Sequence, residues 1–233
     1  MKLNERMKNN YESRTQTYLT RRTPVIMRLD GKAFHTFTKK FSFPFDINLL
    51  YSLYIATKRL GKEIQGSKFA YIQSDEISIL ITDYDRLNTE AWFNYNVQKM
   101  CSVASSIFSC YFNEVISNLK PEIGHQHGFF DCRVFNIPEE EVVNYFIWRQ
   151  RDWWRNSISM LTRAYYSHKE CLNKSVKDMH EMLYEKGANW NDLSPLWKNG
   201  QCVDLLNQEP VILEDFNNYR NYFNKFLEPI EEE

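Results

Sequence analysis

The chain has 233 residues, 43% of them hydrophobic, 15% aromatic and 25% charged, with a formal net charge of −1 at pH 7. A sizeable core in one large domain, or in a compact domain with a helical extension, fits that composition, and seven Gly with seven Pro argue against long flexible linkers. There is no global basic signal for nucleic acid, no apolar run long enough to span a membrane, and no secretory signal in Met1-Lys2-Leu3-Asn4-Glu5-Arg6.

Residues 25–29 are predicted as a strand. Residues 48–64 follow as a helix, because Leu49, Leu53, Ala56, Leu60 and Ile64 recur at spacings of three and four, with Gly66 as a stop. Residues 69–81 read as two strands around a Ser74-Asp75-Glu76 turn, the second alternating through Ile77, Ile79 and Ile81. Helical spacing of Phe93, Val97, Met100, Ala104, Phe108, Tyr111 and Val115 predicts a long helix over 89–118 capped by Asn88. Residues 129–135 form a fourth strand.

The order β-α-β-β-α-β is the split βαβ, ferredoxin-like arrangement. Its first and third strands are central, so the expected fold is α+β: a palm-like antiparallel sheet with helices on one face over 1–137, and a helical extension over 138–233 packed on it as one structural unit. In the extension, Pro138 and Glu139-Glu140-Glu141 begin a helix. Residues 139–151 and 154–168 are two helices or one bent one, and 175–186 is another, with Asp178 near its cap and Gly187 beyond its end. Residues 188–233 resist assignment.

Charge is uneven. Arg21, Arg22, Arg28, Lys32, Lys39 and Lys40 crowd one segment, and Arg149, Arg151, Arg155, Arg163, Lys169 and Lys174 another, while the chain ends in Glu231-Glu232-Glu233. The basic segments suit either a local phosphate-binding face or ordinary solvated surface. The five cysteines lack metal spacing and indicate a reducing, cytoplasmic setting, with Cys101, Cys110 and Cys132 as small core residues. His125 and His127 read as surface histidines, and Trp148, Trp153 and Trp154 as core or interface residues. No GxGxxG or GxxxxGK[ST] pattern is present.

Two acidic turns carry the chemistry. Arg28-Leu29-Asp30-Gly31-Lys32 ends the first strand, and Gln73-Ser74-Asp75-Glu76 joins the second to the third. Either alone is an ordinary turn signal. Together, in this element order, they bring Asp30 and Asp75 to one edge of the sheet, the pair of carboxylates that two-metal nucleotidyl transfer requires. A Mg²⁺ site uses few carboxylates and leaves room for substrate phosphates, and Gly31 permits close backbone approach.

These motifs resemble the tRNA-histidine guanylyltransferase superfamily, and within it the Thg-one-like 3′-to-5′ RNA polymerase branch. The likeness is carried by residues 28–37, 73–78, Phe130-Asp131-Cys132-Arg133-Val134, Trp148-Arg149-Gln150-Arg151-Asp152 and Asn189-Trp190-Asn191-Asp192-Leu193, and covers about residues 3–200. The resemblance implies a template-dependent nucleotidyltransferase that extends the 5′ end of truncated tRNA by 5′-adenylylation and then attack of the 3′-hydroxyl of a nucleoside triphosphate (NTP). It implies Asp30, Asp75 and Glu76 as the catalytic acids, two Mg²⁺ ions held by Asp30, Asp75 and the Gly31 carbonyl, and ATP, GTP and other NTPs as substrates. Arg28, Lys32, Ala33, Phe34, His35, Ser74 and Lys99 would meet nucleotide or phosphate. Arg133, Arg149, Arg151, Arg155, Asn156 and Lys174 would meet tRNA. A homo-oligomer, a tetramer, is also implied, with no membrane partner.

The chain departs from the guanylyltransferase pattern. A His-Ile-Asn-Asn segment is replaced by Trp154-Arg155-Asn156-Ser157, which favours the repair branch, and Phe43-Pro44-Phe45-Asp46 lacks a preceding basic residue. Histidine-tRNA guanylylation stays open, as do a nucleotidyl cyclase, although the Gly-Gly-Asp/Glu-Glu-Phe hairpin is absent, and a non-catalytic RNA-binding module, although Glu76-Ile77-Ser78-Ile79-Leu80-Ile81 has no stacking aromatic.

Overall fold

Alternating apolar residues build the sheet and divide the core in two. A computed structural model describes residues 1–228; the Glu231-Glu232-Glu233 end lies outside them. The strands are β1 (Val25–Gly31), β2 (Ser67–Gln73), β3 (Glu76–Ile81), β4 (Phe130–Asn136), β5 (Gln201–Asp204) and β6 (Glu209–Val211). The helices are α1 (Leu3–Asn10), α2 (Phe34–Phe37), α3 (Ile47–Glu63), α4 (Val97–Leu119), α5 (Glu139–Arg163), α6 (His168–Cys171), α7 (Val176–Glu185), α8 (Pro195–Asn199) and α9 (Asn224–Leu227). Strand order is β4-β1-β3-β2-β5-β6, all antiparallel. As expected, β1 and β3 lie inside the four-strand palm.

Val25, Met27 and Leu29 of β1 and Ile77, Ile79 and Ile81 of β3 turn to one face, where they pack with Leu53, Ala56 and Leu60 of α3 and Met100, Ala104 and Phe108 of α4. Ile26, Phe69, Tyr71 and Leu80 turn to the other face and meet Val142 and Phe146 of α5 with Phe216, Phe223 and Phe226. A period of two in each strand thus feeds two helical layers.

Asp46 starts α3 by accepting from the backbone N–H groups of Asn48 and Leu49, a cap that satisfies otherwise orphan donors. Ser175 and Asp178 form the expected capping box of α7, and Gly187 follows with φ +71°.

Two expectations, on the start of the long helix and on the make-up of the extension, are corrected, and the choice between two helices and one after Pro138 is decided. The helix predicted from residue 89 begins at Val97, capped by Asn96. Phe93, Asn94 and Tyr95 hold left-handed backbone, and the approach is held by pairing with the N-terminal segment, Leu19 N–H to Tyr95 and Val97 N–H to Thr17. Residues 139–163 form one helix. The extension is not wholly helical: β5 and β6 continue the palm's sheet beyond β2. Gln150 of α5 ties in the chain after β6, donating to the Leu213 and Glu214 carbonyls and accepting from Phe216 N–H.

Side-chain placement also differs in places. Trp153 is buried, but Trp148 is 54% exposed and Cys110 is exposed. His125 and His127 are exposed in the loop before β4. No helix among the described residues is long and apolar enough to cross a membrane.

Candidate active site

Strand register decides which acids meet. Asp30, near the end of β1, lies opposite Glu76 on β3 and Asp131 on β4. The β2–β3 hairpin then turns through Ser74 and Asp75, with Ser74 at φ +49°, and Gly31 N–H donates to the Asp75 carbonyl at 3.1 Å. A Cβ at position 31 would stand 2.7 Å from Asp75 Oδ2 and 2.3 Å from Cδ2 of the Phe34 ring. Only glycine lets the β1 end and this carboxylate come so close.

Asp75 is half-buried. Burial, followed by the charges of Asp30 and Glu76, pushes its carboxyl up to about 6, against hydrogen bonds from its own backbone and from Ser74. The cation beside Asp30 is Arg133, 3.9 Å away and itself 3.0 Å from Asp131. Among the described residues no group of three or more His, Cys, Asp or Glu side chains forms a closed metal cluster. Asp30 and Asp75 therefore form an anionic pair with little protein compensation. That donor set fits a hard cation that keeps positions open for phosphate oxygens.

Glu76 is held differently. Arg149 binds it at two points, Nε to Oε1 at 2.7 Å and Nη2 to Oε2 at 2.8 Å, and Gln73 donates to Oε1 at 3.0 Å. Arg149 Nη2 also reaches Asp152 at 3.0 Å. Glu76 is thus engaged by Arg149 of α5 and by Gln73 rather than open to a ligand.

Two cavities meet at Ser74, Asp75 and Met160, which line both. One, of about 700 Å³, is formed by Gly31, Ala33, Phe34, His35, Thr38, Lys39 and the Phe41–Asp46 segment. Its volume suits a nucleotide. The other, of about 380 Å³, holds Asp30, Glu76 and the inward stripe of α5: Arg149, Asp152, Asn156, Ser159 and Arg163.

The expected site residues divide accordingly. Asp30, Gly31, Asp75, Ser74, Ala33, Phe34 and His35 come together, and Asn156 joins them across the second cavity. Arg28 lies on the Asp30 face of β1, paired in register with Ser78 and Arg133, and its buried Nε has no hydrogen-bond partner among the described residues. Lys32 is exposed, with its backbone bonded to Phe129.

Lys99 is not brought to the site. It lies in the first turn of α4, beside Asn96 at the opposite end of the sheet, and α4 runs 23 residues back toward the acids, roughly 34 Å. Arg149 is not free for RNA, since it is 7% exposed and neutralised by Glu76 and Asp152. Arg155 pairs with Asp152. Arg151 and Lys174 are exposed and line neither cavity. Lys39 and Arg163 belong to the basic segments that suit a phosphate-binding face or solvated surface, whereas Phe41, Ser159 and Met160 are not among the sequence candidates for this site. Only the helical spacing of residues 152, 156, 159 and 163 signals the stripe, and it needs Asp152 already placed.

The family profile for tRNAHis guanylyltransferase matches residues 4–138. The chain belongs to the tRNA-histidine guanylyltransferase family. Its solved relatives include a bacterial tRNA(His) guanylyltransferase (Thg1)-like protein in complex with ATP, 41% identical, with a TM-score of 0.91 over 97% of this chain and 99% of that one. Another is a bacterial Thg1-like protein in complex with GTP, 38% identical, with a TM-score of 0.81 over the same shares. The tRNA(His) guanylyltransferase of Debaryomyces hansenii is 28% identical over 205 residues, 81% of this chain and 76% of its own length. Thg1 family members are nucleotidyltransferases, and the two bacterial relatives are bound to nucleotides.

Proposed function

We propose that the protein is a template-dependent 3′-to-5′ nucleotidyltransferase that extends the 5′ end of truncated tRNA. One observation carries the reading: Asp30 and Asp75 converge where a cavity of about 700 Å³ meets one of about 380 Å³. Such a junction suits transfer between a nucleotide and a second phosphate-bearing substrate.

In the proposed sequence, the RNA 5′-phosphate attacks the α-phosphorus of ATP, joining AMP to the RNA and releasing pyrophosphate. The 3′-hydroxyl of an incoming NTP then attacks the RNA's 5′ phosphorus and AMP leaves. Asp30 and Asp75, with the Gly31 carbonyl, would hold two Mg²⁺ ions, which would neutralise phosphate charge and make the attacking oxygen more nucleophilic. Ser74, next to Asp75 in the hairpin turn, favours the ionised form of its carboxyl. The Arg149–Glu76 pair fixes the start of β3 beside it. Phe34, Phe41 and Phe43 supply apolar walls to the larger cavity, with His35 and Lys39 on its lining. A reducing cytoplasmic setting and a homo-oligomer, a tetramer, belong to the same proposal.

The test supplies Mg²⁺, ATP, all four NTPs and a 5′-monophosphorylated tRNA lacking its first nucleotide, and follows RNA length on a gel. Extension by the nucleotide complementary to the opposing acceptor-strand base is expected. No extension, even of 5′-triphosphorylated RNA, would overturn the reading.

A further inference from the structure

We propose that Arg163, with Asn156 and Ser159, holds a backbone phosphate at the 5′ end of the RNA in the smaller cavity. The inference rests on the function proposed above.

The smaller cavity is unequally charged. Asp30, Asp75, Glu76 and Asp152 bring four carboxylates to it, and Arg149 and Arg163 bring two guanidiniums. Arg149 is spent on Glu76 and Asp152. Asp152 is further engaged by Arg155. Arg163 makes no ion pair and no side-chain hydrogen bond among the described residues, although Asp152 stands on its own stripe of α5. A guanidinium left free at the mouth of an acidic cavity suits an anion that arrives with its own cations and needs one fixed partner. Asn156 and Ser159, three or four residues apart on the same stripe, add neutral donors.

The division of space points to the polymer rather than a mononucleotide. The larger cavity already suits one nucleotide and has its own Lys39 and His35. The chain past Arg163 carries Lys169 and Lys174, neither of them in an ion pair among the described residues, while Lys177 pairs with Glu181 at 3.9 Å and Glu170 and Asp178 are engaged in capping boxes with Ser167 and Ser175. Free cations thus follow Arg163 along the chain, and a polymer offers a phosphate to more than one of them. A plainer role also exists: a cation in the last turn of α5 complements the helix dipole. That role would leave RNA affinity and its salt dependence alone.

The experiment compares wild type, Arg163→Gln, Arg163→Lys and Lys62→Gln, the last removing an exposed charge on α3. It measures binding of the truncated, 5′-monophosphorylated tRNA across a KCl series, and the KM for RNA and for ATP. Arg163→Gln is expected to weaken RNA binding about tenfold and lower the salt slope by about one, with the ATP KM held within about twofold. Arg163→Lys should restore most of the slope, and Lys62→Gln should match wild type. Unchanged RNA affinity and slope in Arg163→Gln would overturn the proposal, as would a raised ATP KM with RNA binding intact. Wild type that binds RNA without extending it would sink the proposed function, and the salt slopes would still decide the contact. Wild type that binds no RNA would end both.

Discussion

Arg149 grips Glu76 with both arms of its guanidinium, at 2.7 and 2.8 Å, in a setting where the two side chains are 9% and 13% exposed. Removing one partner of such a pair strands the other without water or counter-charge. Arg149→Met should therefore cost about 3 kcal/mol of stability, read from urea unfolding. The double variant Glu76→Gln/Arg149→Met should recover part of the loss. If the single and double variants are equally unstable, the pair is not the source.

Gly31 predicts a cleaner separation of activity from folding. Gly31→Ala forces a methyl against Phe34 and the Asp75 carboxylate. Phe34 also packs with Phe37, Phe112 and Phe130, so it has little room to yield. A stability loss of about 1–3 kcal/mol is expected from overpacking, along with nucleotidyl transfer reduced out of proportion. An alanine variant with wild-type turnover would show that the β1 end need not approach Asp75 so closely.

The meeting of Asp30 and Asp75 is legible in sequence because both sit where apolar alternation stops, and strand order then fixes their ends. The fate of Arg149 is not legible. Its Trp-Arg-Gln-Arg-Asp segment looks like a charged surface until α5 is laid across β3, which turns Arg149 inward and leaves Arg151 outside. The start of α4 is not legible either: a helix predicted from residue 89 carries no signal of the turn at 93–95, which is set by long-range pairing with Thr17 and Leu19. Strands β5 and β6 are short, and the pairing of β5 with β2 and of β6 with β5 is decided by tertiary contact rather than by local pattern.

The two acids themselves should separate binding from chemistry. Asp30→Asn and Asp75→Asn keep the shape and remove the charge. Each should lower nucleotidyl transfer by about a hundredfold or more, with a circular dichroism spectrum like that of wild type. Mg²⁺ titration followed by calorimetry should lose its signal in the double variant. Retained Mg²⁺ binding there would place the ion elsewhere.

The last prediction concerns the wall of the larger cavity. Lys120, at the end of α4, donates to Asp46 at 3.0 Å, with both side chains at least nine-tenths buried. Burial pushes the Asp46 carboxyl up, but the N–H groups of Ser42 and Leu49, with Lys120, outweigh it and hold it below its ordinary value. The hydrogen bond to Asp46 in turn raises Lys120, against burial. A lowered acid contributes stability that is present above its unfolded value and lost as pH falls through the folded one. A raised lysine contributes stability that is lost as pH rises through its folded value. The pair therefore stabilises the fold between the ordinary carboxylate range and the ordinary lysine range. Lys120→Met should cost about 2 kcal/mol at pH 7, and the gap to wild type should narrow as pH falls below about 4. Because Asp46 also caps α3 and lines the nucleotide-sized cavity, the ATP KM should rise in the same variant. A gap in unfolding free energy that stays constant from pH 7 to pH 3 would mean that Lys120 acts through packing on Phe41, whose ring lies 5.0 Å from its Nζ.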